Sequence, residues 1–263
     1  MATQTLQIDR EVSVAYASVV DSLQKAGHFA QLCDQFGRLP SDAALPTPTA
    51  LFHLGGPEVT NAVRESFSQR GAAQAVVSMI SSFEYFLLQL LFLRRLTERF
   101  VRLAVIPAND MLQIRRSVGG EIRARPTALL RKIIQAPSAE AIAGSEWLDG
   151  IYRVRVCVVH RDGHVDLEDV DDTQSLTVTW RKADLYAGER LITEFPFIAH
   201  DGENINIRFS DTTRIWKLGE RIELESEDCR SMSFALYLLA TWIQKEFFGE
   251  VSPMIKGIKP AAP

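Results

Sequence analysis

The stretch that most narrows what this chain can fold into is residues 76–93, VVSMISSFEYFLLQLLFL. An apolar run of about 18 residues approaches the length needed to cross a bilayer. Ser78, Ser81, Ser82, Glu84 and Gln89 interrupt it, which predicts a buried core or oligomer-interface helix rather than a membrane span. Glu84 lies between Phe83 and Tyr85. Its carboxylate must either emerge at an edge into water or find a donor, because an unpaired buried charge is costly.

The rest of the chain supplies elements to surround such a helix. Over residues 7–36, Ile8, Val12, Ala15, Val19, Leu23, Ala26 and Ala30 recur at spacings of three and four, which predicts a long first helix. Gly37, Pro40, Pro46, Pro48, Gly55, Gly56 and Pro57 then predict a loop over 37–57, with His53 alone in it. A helix restarts at Pro57 and runs through Glu98, with an interruption expected near Gly71. Residues 111–123 are ambiguous, because Gly119 and Gly120 cut them. Residues 126–135 read as a helix with Pro126 in its first turn, and a short helix capped by Ser138 covers 139–143.

After Gly163 the period changes from helical to alternating. Short runs rich in branched and aromatic residues at 175–180, 191–193, 204–209, 215–216 and 221–224 predict a small antiparallel sheet. Met232, Ala235, Leu236, Leu239, Ala240, Ile243 and Phe247 return to helical spacing over 228–248, and Pro253, Pro260 and Pro263 predict a poorly ordered tail. The expected organisation is an N-terminal helix and loop (1–57), a mainly helical domain with a β insertion at about 165–225 (58–250), and a flexible tail (251–263).

With 46% hydrophobic and 24% charged residues, the composition is that of a soluble globular protein. The formal charge of −4 argues against a generally polybasic binder. It hides a division, however. Basic residues dominate 94–161, and acidic ones prevail beyond it, beginning with Asp166, Glu168, Asp169, Asp171 and Asp172. Clustered arginine suits phosphate, and it also keeps helical surfaces solvated. The acidic run lacks the glycine and terminal glutamate of a calcium-binding loop. Cys33, Cys157 and Cys229 form neither a CxxC pair nor an even framework, so they read as reduced thiols, and residues 1–10 carry no secretory signal. A cytoplasmic protein without membrane association is expected. Phosphate-binding, dinucleotide, zincin and hydrolase-elbow motifs are all missing, and neither a metal nor a cofactor is expected.

One stretch gathers arginines, a histidine and a turn signal: YRVRVCVVHRDG, residues 152–163. Its alternation of polar and branched residues favours a strand by propensity. As a helix it would set Arg153 and His160 within about 20° of one face and Arg155 about 140° round from His160. An arginine a few residues before a histidine is weak evidence alone. Together with VHRDG, the upstream FEYFL and an otherwise helical chain, it resembles the HEPN superfamily (higher eukaryotes and prokaryotes nucleotide-binding), whose signature is Arg, four to six residues, then His.

The resemblance covers about residues 60–163 and the last helix. It implies a mainly α, HEPN-like bundle with a helix at 150–161, and a metal-independent endoribonuclease whose two signatures meet across a homodimer. It further implies a toxin or antiphage-defence setting, with RNA as substrate and an antitoxin or defence protein as partner. His160 would be the general acid or base, since imidazole titrates near neutral pH. Arg155, with Arg153 sharing or taking the role, would hold the scissile phosphate through its planar cationic fork. Glu84 and His164 would support the site, and Arg161 would contact substrate. Val156 departs from the pattern, because many relatives carry a polar residue after the arginine. That departure leaves open a catalytically inactive module that binds RNA or protein.

Overall fold

The computed structural model describes residues 7–38, 61–103, 106–135, 147–192 and 203–256. Of the loop expected at 37–57, Gly37 still belongs to the first helix and Arg38 is a turn; the rest, with His53, and the short helix at 139–143 lie outside them. In chain order the elements are α1 (Ile8–Gly37), α2 (Asn61–Leu103), α3 (Ala108–Gly119) running into a 3₁₀ turn (Gly120–Arg123), α4 (Pro126–Ile133), α5 (Trp147–His160), β1 (Ser175–Ala187), β2 (Arg190–Leu191), β3 (Ile205–Lys217) and α6 (Ser226–Lys256). The fold is mainly α, with a small antiparallel sheet before the last helix.

α2 is the axis of the bundle. Val76, Met79, Ile80, Phe83, Phe86, Leu87, Leu90 and Leu91 are all buried, a set too broad for one stripe of a helix, so partners must close on it from several sides. α1, α4, α5 and α6 all pack against it. The segment Phe67–Leu103 is long and apolar enough to cross a membrane by length and composition, and half of its most apolar window is buried within the fold. α1 lays down the stripe Val12, Val19, Leu23, Ala26, Ala30 and Cys33, which joins the same core. The first helix therefore belongs to the main domain.

No break occurs at Gly71; α2 runs through it. The glycine is there for a different reason. A Cβ at position 71 would lie 2.4 Å from both Cβ and Sγ of Cys33 on α1, so only hydrogen fits where the two helices cross. α6 is also longer than its prolines suggested, continuing through Pro253 to Lys256, with Val251 fully buried and Ile255 packed on the core.

The sheet has strand order β2-β1-β3. β1 and β3 pair antiparallel along thirteen residues each, from Ser175 opposite Lys217 to Ala187 opposite Ile205. The runs expected separately at 204–209 and 215–216 are thus one strand. Polar Ser210, Asp211, Thr212 and Thr213 divide them in sequence but stay exposed or half-exposed in the ladder. Residues 221–224 form no strand; Arg221 makes an isolated bridge to His164, and Ile222 and Leu224 fill the core. Leu176, Val178 and Trp180 point inward from β1 onto α5 and α6, where the Trp180 indole donates to Ser231 Oγ at 3.0 Å.

The crossing at Gly71 yields a test. Alanine is intrinsically the better helix former by about 0.5–1 kcal/mol. Gly71→Ala is nevertheless expected to destabilise the protein by about 1–3 kcal/mol through overpacking against Cys33, read by urea denaturation. A stabilised variant would show that α1 and α2 are not in contact there.

Candidate functional site

α5 carries the candidate residues, and its helical form follows from burial rather than propensity. Leu148, Ile151, Val154 and Cys157 are each fully buried at a spacing of three, which a strand would send to alternating faces. Gly150 lets α5 approach β1: a Cβ there would meet Val178 at 3.1 Å. The helix ends in a tight turn in which Asp162 (φ 51°) and Gly163 (φ 84°) are left-handed. The Cys157 carbonyl accepts from the backbone N–H groups of both Arg161 and Gly163 at 3.0 Å.

Arg155 faces α2. Its Nε donates to Ser81 Oγ at 3.2 Å and lies 3.8 Å from Glu84 Oε2, and its guanidinium sits 5.9 Å from the centre of the Tyr152 ring. The arginine side chain is 24% exposed and the glutamate's 13%, so this pair is largely withdrawn from water without being a tight ion pair. Burial pushes the Glu84 carboxyl above the ordinary glutamate range, and the Arg155 charge opposes that shift only in part. Of the two outcomes open to Glu84, an edge in water or a donor, it takes the second, with the Arg155 guanidinium as its neighbour.

His160 is the last residue of α5 and is exposed, with no hydrogen bond or ion pair among the described residues. Arg153 is exposed on the same side of the helix, two turns earlier. Val156 lies between them and is half-buried. Asp171 is close enough for Arg153 to act on it: its carboxyl is held below the usual range first by hydrogen bonds from Thr173 and, more weakly, by the Arg153 charge.

Two expected participants have other engagements. Nη1 of Arg161 donates to both carboxylate oxygens of Asp169, at 2.8 and 2.7 Å, and Nη2 donates to Glu168 at 2.8 Å. Asp169 is itself buried and also accepts the Asp166 N–H at 3.0 Å. The acidic run therefore wraps around Arg161 as a structural clasp, with which any substrate contact by Arg161 would have to compete. His164 is exposed, with Nδ1 3.4 Å from the Gly219 carbonyl. Cys157, beneath the clasp, has its thiol pushed up to about 12 by burial and the neighbouring Asp169, so it is an inert core group. Among the described residues no group of three or more His, Cys, Asp or Glu side chains is arranged to hold a metal ion.

The chain matches no family model, no curated protein and no solved structure.

Reading the sequence alone passed over Ser81, which registered only as a polar interruption of the apolar run. The signal that points to it is its position three residues before Glu84, one turn away on the same helix face. Tyr152 and Asp171 were likewise visible only once α5 and the following loop were folded.

The Glu84 environment sets a pH dependence. An acid whose folded pKa is raised favours its neutral form in the folded protein, so its contribution to stability is intact at low pH and is lost as pH rises through that pKa. Glu84→Gln is expected to melt above the wild type at pH 8 and at the same temperature as the wild type at pH 4. A lower melting temperature for the variant at pH 8 would mean that attraction to Arg155 outweighs the cost of burial.

Proposed function

We propose that this chain is a metal-independent endoribonuclease of the HEPN type, acting as a homodimer in a toxin or antiphage-defence setting. The observation that carries the reading is His160 at the end of α5, exposed and without a partner among the described residues, with the exposed Arg153 on the same face and Arg155 one helix face away. An imidazole next to guanidinium cations provides what phosphodiester transesterification requires: a proton acceptor for the ribose 2′-hydroxyl, a proton donor for the departing 5′-oxygen, and permanent positive charge for the crowded phosphorus.

In this reading His160 removes the 2′-hydroxyl proton and the oxygen attacks phosphorus. The bond to the 5′-oxygen breaks, and that oxygen takes a proton to leave a 2′,3′-cyclic phosphate and a 5′-hydroxyl. One imidazole cannot be base and acid for the same bond at once. A second copy of the chain supplies a second His160, which is the role of the homodimer. Arg153, on the His160 face, contacts the phosphate. Arg155, held by Ser81 and Glu84, is the second cation at the rim.

Val156 favours a second reading. A half-buried aliphatic side chain between Arg153 and His160 offers no proton and no hydrogen bond to a bound phosphate, as suits a module that binds RNA or a partner protein without cutting. The two readings separate in a cleavage assay on labelled transfer and messenger RNA in EDTA. His160→Ala is expected to lower the rate by at least about 100-fold and Arg153→Ala by about 100- to 1,000-fold, both with unchanged melting temperatures because both side chains are exposed. A folded, dimeric wild type that leaves the RNA intact would reject the enzyme and leave the binding module.

A further inference from the structure

Some 20 Å along α2 from Ser81, by a rise of about 1.5 Å per residue, lies a basic groove that the α5 chemistry does not use. Two shallow depressions merge there, sharing Arg95 and Glu98, with Arg99 and Arg102 at one end and Arg131 and Lys132 at the other. In their linings cations outnumber carboxylates two to one, on a molecule whose net charge is −4. The carboxylates present act as positioners. Glu121 takes Arg95 at 3.1 Å and Lys132 at 2.5 Å, Asp110 takes Arg99 Nε at 2.7 Å, and Ser117 accepts from Arg95 at 2.7 Å. These cations are therefore held in place while remaining partly exposed, at 28% for Arg95, 44% for Arg99 and 45% for Lys132. Among the described residues, Arg102 and Arg131 are exposed and make no ion pair or hydrogen bond.

α2 is unbroken from Asn61 to Leu103. Its repeat of about 3.6 residues brings Ser81, Glu84, Arg95, Arg99 and Arg102 within about 60° of one line along the helix. The groove thus continues the side of α2 that α5 covers with Arg155. A row of fixed cations, elongated and shallow, matches a chain of evenly spaced phosphates better than a single small anion, which calls for one enclosed cluster.

We propose that the groove formed by the end of α2 with α3 and α4 binds the phosphate backbone of single-stranded RNA, at the opposite end of α2 from the helix end that carries His160, which packs near residues 69–74. The proposal rests on the ribonuclease reading, and supplies the substrate track for it. The test measures anisotropy of a fluorescein-labelled 16-nucleotide single-stranded RNA on full-length protein carrying His160→Ala, which keeps the RNA intact. Adding Arg102→Glu with Arg131→Glu is expected to weaken binding at least tenfold at low salt. It should also flatten the slope of log K against log salt by about 1.4, from two lost phosphate contacts at about 0.7 each. Arg10→Glu with Lys245→Glu, a charge-matched pair exposed on α1 and α6, is expected to bind like its parent. Equal binding by the two double variants overturns the groove, while cleavage that depends on His160 leaves the ribonuclease standing. Failure of the wild type to cut RNA, together with failure of the His160→Ala protein to bind it, overturns both.

Discussion

Everything in this fold follows from having to cover α2. A helix that is apolar around most of its circumference between Ala72 and Leu96 has no stable exposed orientation in water. Each fully buried Phe or Leu contributes about 1.5–3 kcal/mol only if a neighbour completes its surroundings. α1 and α6, the other long helices, both pack on it, and α4 and α5 take further parts of its length. The sheet does not touch the axis in the same way; it closes the outer side of α5 and α6 through Leu176, Val178 and Trp180. Polar residues on α2 survive inside this shell only with partners. Thr97 returns its hydroxyl to the Leu93 carbonyl at 2.8 Å, and Arg94, 3% exposed, is bound to Glu98, to Glu250 of α6 and to the Ile133 carbonyl at the end of α4.

The contrast between Arg94 and Arg155 separates a cation used by the fold from one left for other work. Arg94 ties three helices, and its guanidinium is enclosed by oxygen acceptors, so removing it would strand buried partners. Arg155 has one hydrogen bond at 3.2 Å and a carboxylate at 3.8 Å, a looser arrangement that leaves part of its fork unused. Arg161 belongs with Arg94, since its carboxylates come from its own loop and surround it. By the same criterion Arg102, Arg131 and Arg153 lie at the opposite extreme, exposed and without tight partners among the described residues. Sequence proximity puts Arg153, Arg155 and Arg161 in one stretch; partner geometry sorts them into three different roles.

That sorting also marks what sequence can and cannot convey. α1, α4 and α6 are legible because their buried residues recur every three or four positions, a local property that packing then obeys. Gly71 was misread as a break because a glycine excluded by helix propensity and a glycine demanded by Cys33 on another helix look identical in one dimension. β3 was divided because Ser210 to Thr213 are polar, though the ladder to β1 tolerates polar residues on its solvent face. At the site, Arg153, Arg155 and His160 could be named from spacing, and the clasp around Arg161 could not. It depends on Asp162 and Gly163 adopting left-handed backbone angles that swing the acidic run back onto the helix end.

The geometry of α5 constrains the proposed chemistry more tightly than its residue types do. Within one helix, Arg155 and His160 are about 140° apart and about 7.5 Å apart along the axis, and Arg155 is turned toward Ser81 and Glu84. A phosphate that His160 can reach from the exposed face is therefore approached by Arg153 of the same helix, with Val156 beneath it. This leaves one imidazole per copy, with Arg153 beside it and Arg155 set back at the rim, too few proton-transfer groups for a bond-breaking step that needs both a base and an acid. Two α5 faces brought together double both groups, and the half-buried Val156 then becomes a packing residue between the pairs. In the proposed enzyme the dimer is thus required by proton bookkeeping on α5, independently of any preference of the apolar core for a second copy.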